Sequence, residues 1–217
     1  WTPATGLSCT TCANPSASPA ATTAYVVTGT DANGCTDTGI ITVTVNPLPV
    51  LQVTGGGTIC EGLSKQLNVT GASSYVWTPA TGLSCTTCSN PLASPTTTTT
   101  YTVTGTTNGC TASATATVNV LPKPVLSITN DAEICEGGST DITVIGATTY
   151  VWTPSASLSC STCPSVTATP TTTTVYTVTG TGLDGCTNTA NVKVTVHQKP
   201  KVNAGDDIVI CEGSFAQ

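Results

Sequence analysis

One stretch recurs along the chain and constrains its fold more than any other feature. It reads Tyr75-Val-Trp-Thr-Pro-Ala-Thr-Gly-Leu-Ser-Cys-Thr-Thr-Cys88 in the middle of the chain, and it returns with small changes from Tyr150 to Cys163. Its last twelve residues also open the chain, from Trp1 to Cys12, so that the three tryptophans stand 76 and 75 residues apart. Self-similarity at a fixed period is typical of a tandem array. The sequence therefore predicts repeats of about 75 residues.

Short proline-rich segments set the predicted borders between repeats. They read Asn46-Pro-Leu-Pro49, Leu121-Pro-Lys-Pro124 and His197-Gln-Lys-Pro200. Proline removes a backbone donor, so a sheet ladder stops there, and such linkers are stiff. The predicted organisation is the C-terminal part of a repeat at 1–47, complete repeats at 48–122 and 123–199, and the N-terminal part of another repeat at 200–217.

Within each period, threonine alternates with Val, Ile, Tyr and Ala, which is the pattern of half-buried strands. In 48–122 we expect strands at Val50–Val53, Gln66–Thr70, Tyr75–Trp77, Thr100–Thr104 and Thr115–Val120, with a turn at Cys60-Glu61-Gly62. In 1–47 we expect strands at Ala24–Thr30 and Ile40–Val45. About seven short strands separated by turns predict an all-β fold: tandem immunoglobulin-like or PKD-like β-sandwich repeats in an elongated rod.

The charge composition excludes some classes of partner. Only 7% of the residues are charged and the net charge is -6, with 5 Lys and no Arg. No basic patch exists that could neutralise phosphates, so the sequence argues against nucleic acid. No apolar run is long enough for a transmembrane helix, and we expect no membrane insertion in this segment.

The chain has 12 cysteines, which recur as four in each period. Such density in a threonine-rich strand protein is typical of an oxidised, exported protein. The Cys-x-x-Cys pairs are predicted to form local disulfides that close a loop: Cys9 with Cys12, Cys85 with Cys88, and Cys160 with Cys163. The alternatives are a zinc site built from four thiolates, a redox motif and unpaired thiols. The redox motif needs a helix, which the sequence does not indicate.

The other two cysteines of each period have two alternative pairings. In a sandwich, Cys60 precedes the second strand and Cys110 follows the sixth, which places them at opposite ends of one domain, further apart than the roughly 7 Å between Cα atoms that a disulfide spans. We therefore favour an inter-repeat bond from Cys60 to Cys186. The partners of Cys35, Cys110, Cys135 and Cys211 would then lie in repeats outside this sequence. The rival scheme, Cys60–Cys110 and Cys135–Cys186 within repeats, requires another topology.

The combined motifs resemble a known family. The Tyr-x-Trp-Thr-Pro-Ala-Thr-Gly-Leu-Ser-Cys-x-x-Cys run, the Thr-Thr-Tyr-Thr-Val-Thr-Gly strand, the Asn-Gly-Cys turn and the Ile-Cys-Glu-Gly turn are similar to the PKD and immunoglobulin-like tandem repeats of very large surface proteins of Bacteroidota. Those proteins are often exported by type IX secretion and often end in a gliding-motility-associated domain. The resemblance covers the whole chain and implies a cell-surface adhesin, stalk or filament, and it brings no catalytic residues.

Several residues have a functional and a structural interpretation. Asp131 with Glu133, and Asp206 with Asp207, could hold calcium at junctions, but the matching positions near residue 56 are glycines, and solvated loop acids are the favoured interpretation. His197 is the only histidine, and no catalytic set can be built around it. The Tyr75/Trp77 and Tyr150/Trp152 pairs could stack on sugars, although core aromatics fit their alternation better.

Two kinds of glycosylation signal are weak. Asn68-Val-Thr70 matches an N-glycosylation acceptor, and the many exposed threonines could carry O-glycans.

The sequence predicts a non-enzymatic, extracellular structural protein without metal or cofactor. Its partners would be neighbouring repeats of the same long chain or identical chains in a fibre. The alternative is a binding-module array whose loops recognise surface glycans or a host protein. Residues 200–217 resemble the front of a repeat and 1–47 its back. We expect this to reflect a segment of a longer array, with donor-strand assembly between subunits as the alternative.

Overall fold

The structure is a computed structural model, and it describes residues 1–203, 205, 209 and 211–213. Seventeen strands and no helices occur in that part of the chain. The strands are β1 (Thr23–Thr30), β2 (Thr36–Val43), β3 (Gln52–Thr54), β4 (Gly57–Cys60), β5 (Lys65–Gln66), β6 (Asn68–Thr70), β7 (Ser74–Thr78), β8 (Leu92–Ala93), β9 (Thr99–Thr107), β10 (Cys110–Leu121), β11 (Ser127–Ile128), β12 (Ala132–Cys135), β13 (Thr140–Ile145), β14 (Thr149–Thr153), β15 (Ser165–Ala168), β16 (Thr174–Thr181) and β17 (Thr187–His197). With no helix among the residues described, none is available to cross a membrane.

The chain forms two compact units, Trp1–Val120 and Leu121–Gln217. In the first unit, a four-stranded sheet has the order β4-β10-β9-β7, and β3 pairs with β6 while β5 pairs with β8. The hairpin of β1 and β2 belongs to the same unit and forms a two-stranded sheet. The predicted repeat borders after residues 47, 122 and 199 stay predictions.

The second unit contains one repeat, and its four-stranded sheet has a strand order equivalent to that of the first unit. Its four-stranded sheet has the order β12-β17-β16-β14, and its three-stranded sheet has the order β11-β13-β15. All pairings of these sheets are antiparallel except that of β12 with β17, which is parallel and places Cys135 beside His197. Two facing sheets with this strand order form an immunoglobulin-like β-sandwich. The chain is thus all-β and built of immunoglobulin-like repeats.

The core of each sandwich is made by the residues that alternate inward along the strands. In the second unit, Trp152, Tyr176 and Val194 are among the buried residues that the two sheets contribute. In the first unit, Trp77 and Tyr101 lie at the equivalent positions. Trp77 and Trp152 are each 1% exposed, which confirms that they are core residues and rules them out as sugar-stacking platforms.

The structure also corrects the predicted strands. The predicted turn at Cys60-Glu61-Gly62 is confirmed, because the backbone N–H of Leu63 donates to the carbonyl of Cys60 at 3.0 Å, and Cys60 also ends strand β4. The short strand β8 is absent from the prediction, and the strands of the closing hairpin, β9 and β10, are several residues longer than expected. Strand β4 escaped prediction because Gly57, a weak strand former, begins it and only Ile59 is buried.

Candidate functional site

A tryptophan holds each Cys-x-x-Cys loop in the same way. The indole Nε1 of Trp77 donates a hydrogen bond to the carbonyl of Cys88 at 3.0 Å, and that of Trp152 donates to Cys163 at 2.9 Å. Trp1 repeats the contact with Cys12 at 3.0 Å. Because a buried indole N–H needs an acceptor, the loop satisfies the core tryptophan and the tryptophan fixes the loop.

The loops are closed by disulfides. Cys9 is bonded to Cys12, Cys85 to Cys88 and Cys160 to Cys163, with Cα–Cα distances of 6.0, 6.0 and 5.7 Å. These distances lie within the range that a disulfide spans. In the structure these six cysteines are thus bonded in pairs within their loops, and none of them is a thiolate ligand for zinc.

Each loop also covers an edge of the sheet. Strand β7 ends the order β4-β10-β9-β7, and the backbone N–H of Trp77 on that edge donates to the carbonyl of Thr86 in the loop at 2.7 Å. In the second unit, the N–H of Trp152 donates to Ser161 at 2.8 Å. An uncovered edge strand offers unpaired backbone groups to other chains. The disulfide loop thus acts as an edge cover, a role that sequence reasoning missed.

A tyrosine fixes the first part of the same loop. The Tyr101 hydroxyl donates to the carbonyl of Thr81 at 3.0 Å, and Tyr25 donates to Thr5 at 2.8 Å. Burial raises the pKa of the Tyr101 phenol above its usual value, against a smaller opposing effect of its hydrogen bond with Thr99. The phenol is therefore a protonated donor at neutral pH.

The turn between β9 and β10 lies beside the segment that enters the repeat. Asn108 and Gly109 have positive φ angles of 50° and 79°, as a two-residue hairpin turn requires. Asn46 donates through Nδ2 to the carbonyl of Asn108 at 3.3 Å, and the Cys110 thiol donates to the carbonyl of Asn46 at 3.6 Å. Cys110 is thus placed at the N-terminal end of its repeat.

The second unit shows the same arrangement. Asn188, two residues after Cys186, donates through Nδ2 to the carbonyl of Pro124 at 3.0 Å. Cys186 itself is 2% exposed. The cysteine of this turn therefore lies at the N-terminal end of the repeat in both units.

The remaining cysteine of each repeat lies at the opposite end. The parallel register pairs Cys135 with His197, the last residue of β17, whereas Cys186 directly precedes the first residue of that strand. Eleven residues of extended chain separate Cys186 from His197, roughly 36 Å at about 3.3 Å per residue. A disulfide between Cys135 and Cys186 is therefore excluded. Cys35, Cys110, Cys135 and Cys211 carry free thiols in the structure, so Cys110 is not bonded to Cys60.

The acidic residues named as calcium candidates have protein partners. Asp131 accepts a hydrogen bond from the backbone N–H of Lys193 at 2.8 Å, and Glu133 lies 3.1 Å from Nε2 of His197. Asp206 and Asp207 lie outside the described residues. Within the described part of the chain, no three acidic, histidine or cysteine side chains come together as a metal site.

Comparisons with known proteins found similar solved structures but no match to a family model or a curated protein. Among solved structures, it is similar to the titin domains I67–I69, in an E-to-A mutated variant, at 12% identity and a TM-score of 0.42, over 81% of this chain and 75% of that one. It is also similar to extracellular domains 3–5 of Drosophila OTK, at 10% identity and a TM-score of 0.37, over 81% and 71%.

A third similar structure is the insect immune protein hemolin, at 14% identity and a TM-score of 0.37, over 80% of this chain and 56% of that one. The conclusion that this chain is built of immunoglobulin-like repeats rests on its own strand order and parallel pairing, described above.

Proposed function

We propose that this chain is a load-bearing segment of an extracellular surface filament, stalk or adhesin, in which disulfides join each repeat to the next. The observation that carries the proposal is the placement of the non-loop cysteines at opposite ends of a repeat. Cys135 lies beside the last residue of β17, and Cys186 precedes its first residue. A pair of cysteines placed in this way can bond only to other repeats or other chains.

The bond we propose within this chain joins Cys60 to Cys186. Cys60 ends β4, the counterpart of β12, and so belongs to the C-terminal end of its repeat. Cys186 belongs to the N-terminal end of the following repeat, where the hairpin turn contacts the entering segment. A junction closed by this bond and by the segment Leu121–Pro124 would resist bending and proteolysis.

Three further observations support a structural role outside the cell. The disulfide loops belong to an oxidising compartment, and the sequence motifs resemble repeats of Bacteroidota surface proteins. The large hydrophobic side chains exposed on the described surface are aliphatic, so the aromatic platforms that a carbohydrate-binding array would use do not appear there. Mechanical continuity, and not ligand recognition, is the function that the geometry supports best.

Disulfide mapping tests this proposal directly. Free thiols of the full chain are alkylated, and the chain is then cut after Asp and Glu without reduction and analysed by mass spectrometry. The positions of the acidic residues place Cys60 in peptide 38–61, Cys186 in 185–206, Cys135 in 134–136 and Cys110 in 62–131. We expect peptide 38–61 linked to 185–206. A link from 38–61 to 62–131, or an alkylated Cys60, would overturn the proposal.

A further inference from the structure

The outer face of the four-stranded sheet in the first unit carries an ordered array of hydroxyl groups. Residues of β7, β9 and β10 that point away from the core line up in rows across the three strands. We call this surface the hydroxyl face, and its rows are Ser74–Thr106–Thr111, Val76–Thr104–Ser113, Thr78–Thr102–Thr115 and Thr100–Thr117. Ten of its eleven side chains are Ser or Thr.

No charged residue interrupts this face. The sequence from Gln66 to Pro122 contains no Asp, Glu, Lys, Arg or His, and the charged residues of 48–122 are Glu61 and Lys65. The whole chain nevertheless has a net charge of -6. Since net charge keeps protein surfaces apart, two copies of this chain meet least repulsion where the hydroxyl face of one approaches that of the other.

The hydroxyl groups of the face are already paired in part. The Thr100 and Thr117 hydroxyls lie 2.9 Å apart, and those of Thr104 and Ser113 lie 3.1 Å apart. Burying a hydroxyl is unfavourable when it lacks a partner and nearly neutral when it has one. The pairs therefore reduce the desolvation penalty of covering the face and leave threonine methyl groups for contact. Val76, in one of the central rows, is 52% exposed and adds apolar area there.

The second unit has equivalent rows of side chains, but one of these rows contains a lysine. Its β16 and β17 place Val175 beside Lys193, at the position that Thr100 and Thr117 occupy in the first unit. Lys193 brings a positive charge onto that face, and Asn191 replaces a threonine. The uninterrupted array is thus a property of 48–122, and Lys193 shows that a lysine is compatible with the fold at this position.

We propose that the hydroxyl face of 48–122 binds the same face of a second copy of this chain, side by side. The face is neutral and has no exposed aromatic ring, so it fits neither nucleic acid nor a stacked sugar, whereas two sheets packing about 10 Å apart through short side chains are an established arrangement. This inference rests on the proposed structural role and deepens it by naming the surface that would join chains laterally.

Sedimentation velocity of the full chain over a concentration series tests the inference. We expect concentration-dependent dimers whose dissociation constant does not rise between about 50 mM and about 500 mM NaCl, since salt weakens attraction between opposite charges but only relieves the net repulsion between the two acidic chains. The variant Thr115→Lys/Thr117→Lys places like charges opposite each other and should weaken dimerisation about tenfold or more. The matched control is Asn68→Lys/Thr70→Lys, which adds the same charge to exposed positions of β6 in the other sheet.

Three results would overturn the inference: a monomer at every concentration, equal weakening by the control, or dimers that survive the face variant. A further variant, Ile41→Asn, identifies the alternative surface, because Ile41 lines an open apolar cleft of about 230 Å³ with Trp1 and Tyr25. Dimers lost only in that variant would assign association to the cleft. Disulfide mapping is read independently, so failure of lateral binding leaves the Cys60–Cys186 proposal intact, and the converse also holds.

Discussion

Trp77 and Cys88 are joined by a hydrogen bond of 3.0 Å from the indole Nε1 to the carbonyl oxygen, and the same bond recurs between Trp152 and Cys163. The first residue of this pair lies in the core and the second closes a surface loop. The sandwich interior and the cover of its edge strand are thus coupled through a single donor. A change in one should be measurable in the other.

Replacing Trp152 with Phe tests this coupling. The ring still occupies part of the core, but the carbonyl of Cys163 loses its donor and a cavity remains. We expect the free energy of unfolding to fall by about 2–4 kcal/mol, because a partly buried carbonyl loses its hydrogen bond and core packing is lost. Denaturant unfolding of the full chain provides the measurement. An unchanged transition would show that the indole donor contributes nothing.

Removing one loop disulfide should expose the edge strand while leaving the fold intact. The variant Cys85→Ser/Cys88→Ser opens a ring of only a few residues, so the loss of stability should be about 2 kcal/mol or less. The backbone N–H of Trp77 donates to the carbonyl of Thr86 in the loop at 2.7 Å. In the variant, this amide hydrogen should exchange with deuterium at least about tenfold faster than in the unaltered chain. Unchanged exchange at Trp77, with the equivalent Trp152 as the internal control, would contradict the edge-cover role.

Gly180 allows no side chain, although its backbone is not strained. A Cβ there would lie 2.6 Å from Cδ2 of Leu126 and 2.8 Å from Cβ of Ala147. We therefore expect Gly180→Ala to destabilise the second unit by about 1–3 kcal/mol through overpacking. Gly29→Ala is the matched control, because no atom lies within 4 Å of its added Cβ. Thermal unfolding of both variants should separate them, and equal transitions would refute the packing argument.

The turn after β1 should open in acid. The backbone N–H of Cys35 at 2.8 Å and that of Asn33 at 2.9 Å donate to Asp31, and they hold the pKa of its carboxyl below the usual value. Because the pKa of this carboxyl is lower in the folded state than in the unfolded state, the carboxylate stabilises the turn at pH values above the unfolded-state pKa. This contribution is lost as the pH falls through the folded pKa. An NMR titration of the Asp31 carboxyl and the Cys35 amide should show both changing together. Independent transitions would contradict the prediction.

The sequence predicted the repeat, the sandwich class and the loop disulfides because each leaves a local or periodic signal. The alternation around Tyr101 and Val103 marks a buried strand, and a Cys-x-x-Cys pair closes a loop within four residues. Strand β4 was missed because Gly57–Cys60 is too short for a periodic signal and is held by a partner more than fifty residues away, in β10. The edge cover and the hydroxyl face also depend on register between distant strands, which no single segment encodes.

The pairing of β12 with β17 determines how a repeat responds to tension. The two strands run parallel, with Ala132 beside Val194 and Cys135 beside His197. A pull on the two ends of the repeat draws β12 back by its first residue and β17 forward by its last. All the hydrogen bonds between them are then loaded in shear at the same moment, whereas a hairpin pulled from its open end would unzip one bond after another. The resistance of a repeat to rupture therefore depends on the hydrogen bonds between β12, near the entry of the chain into the domain, and β17, at its exit.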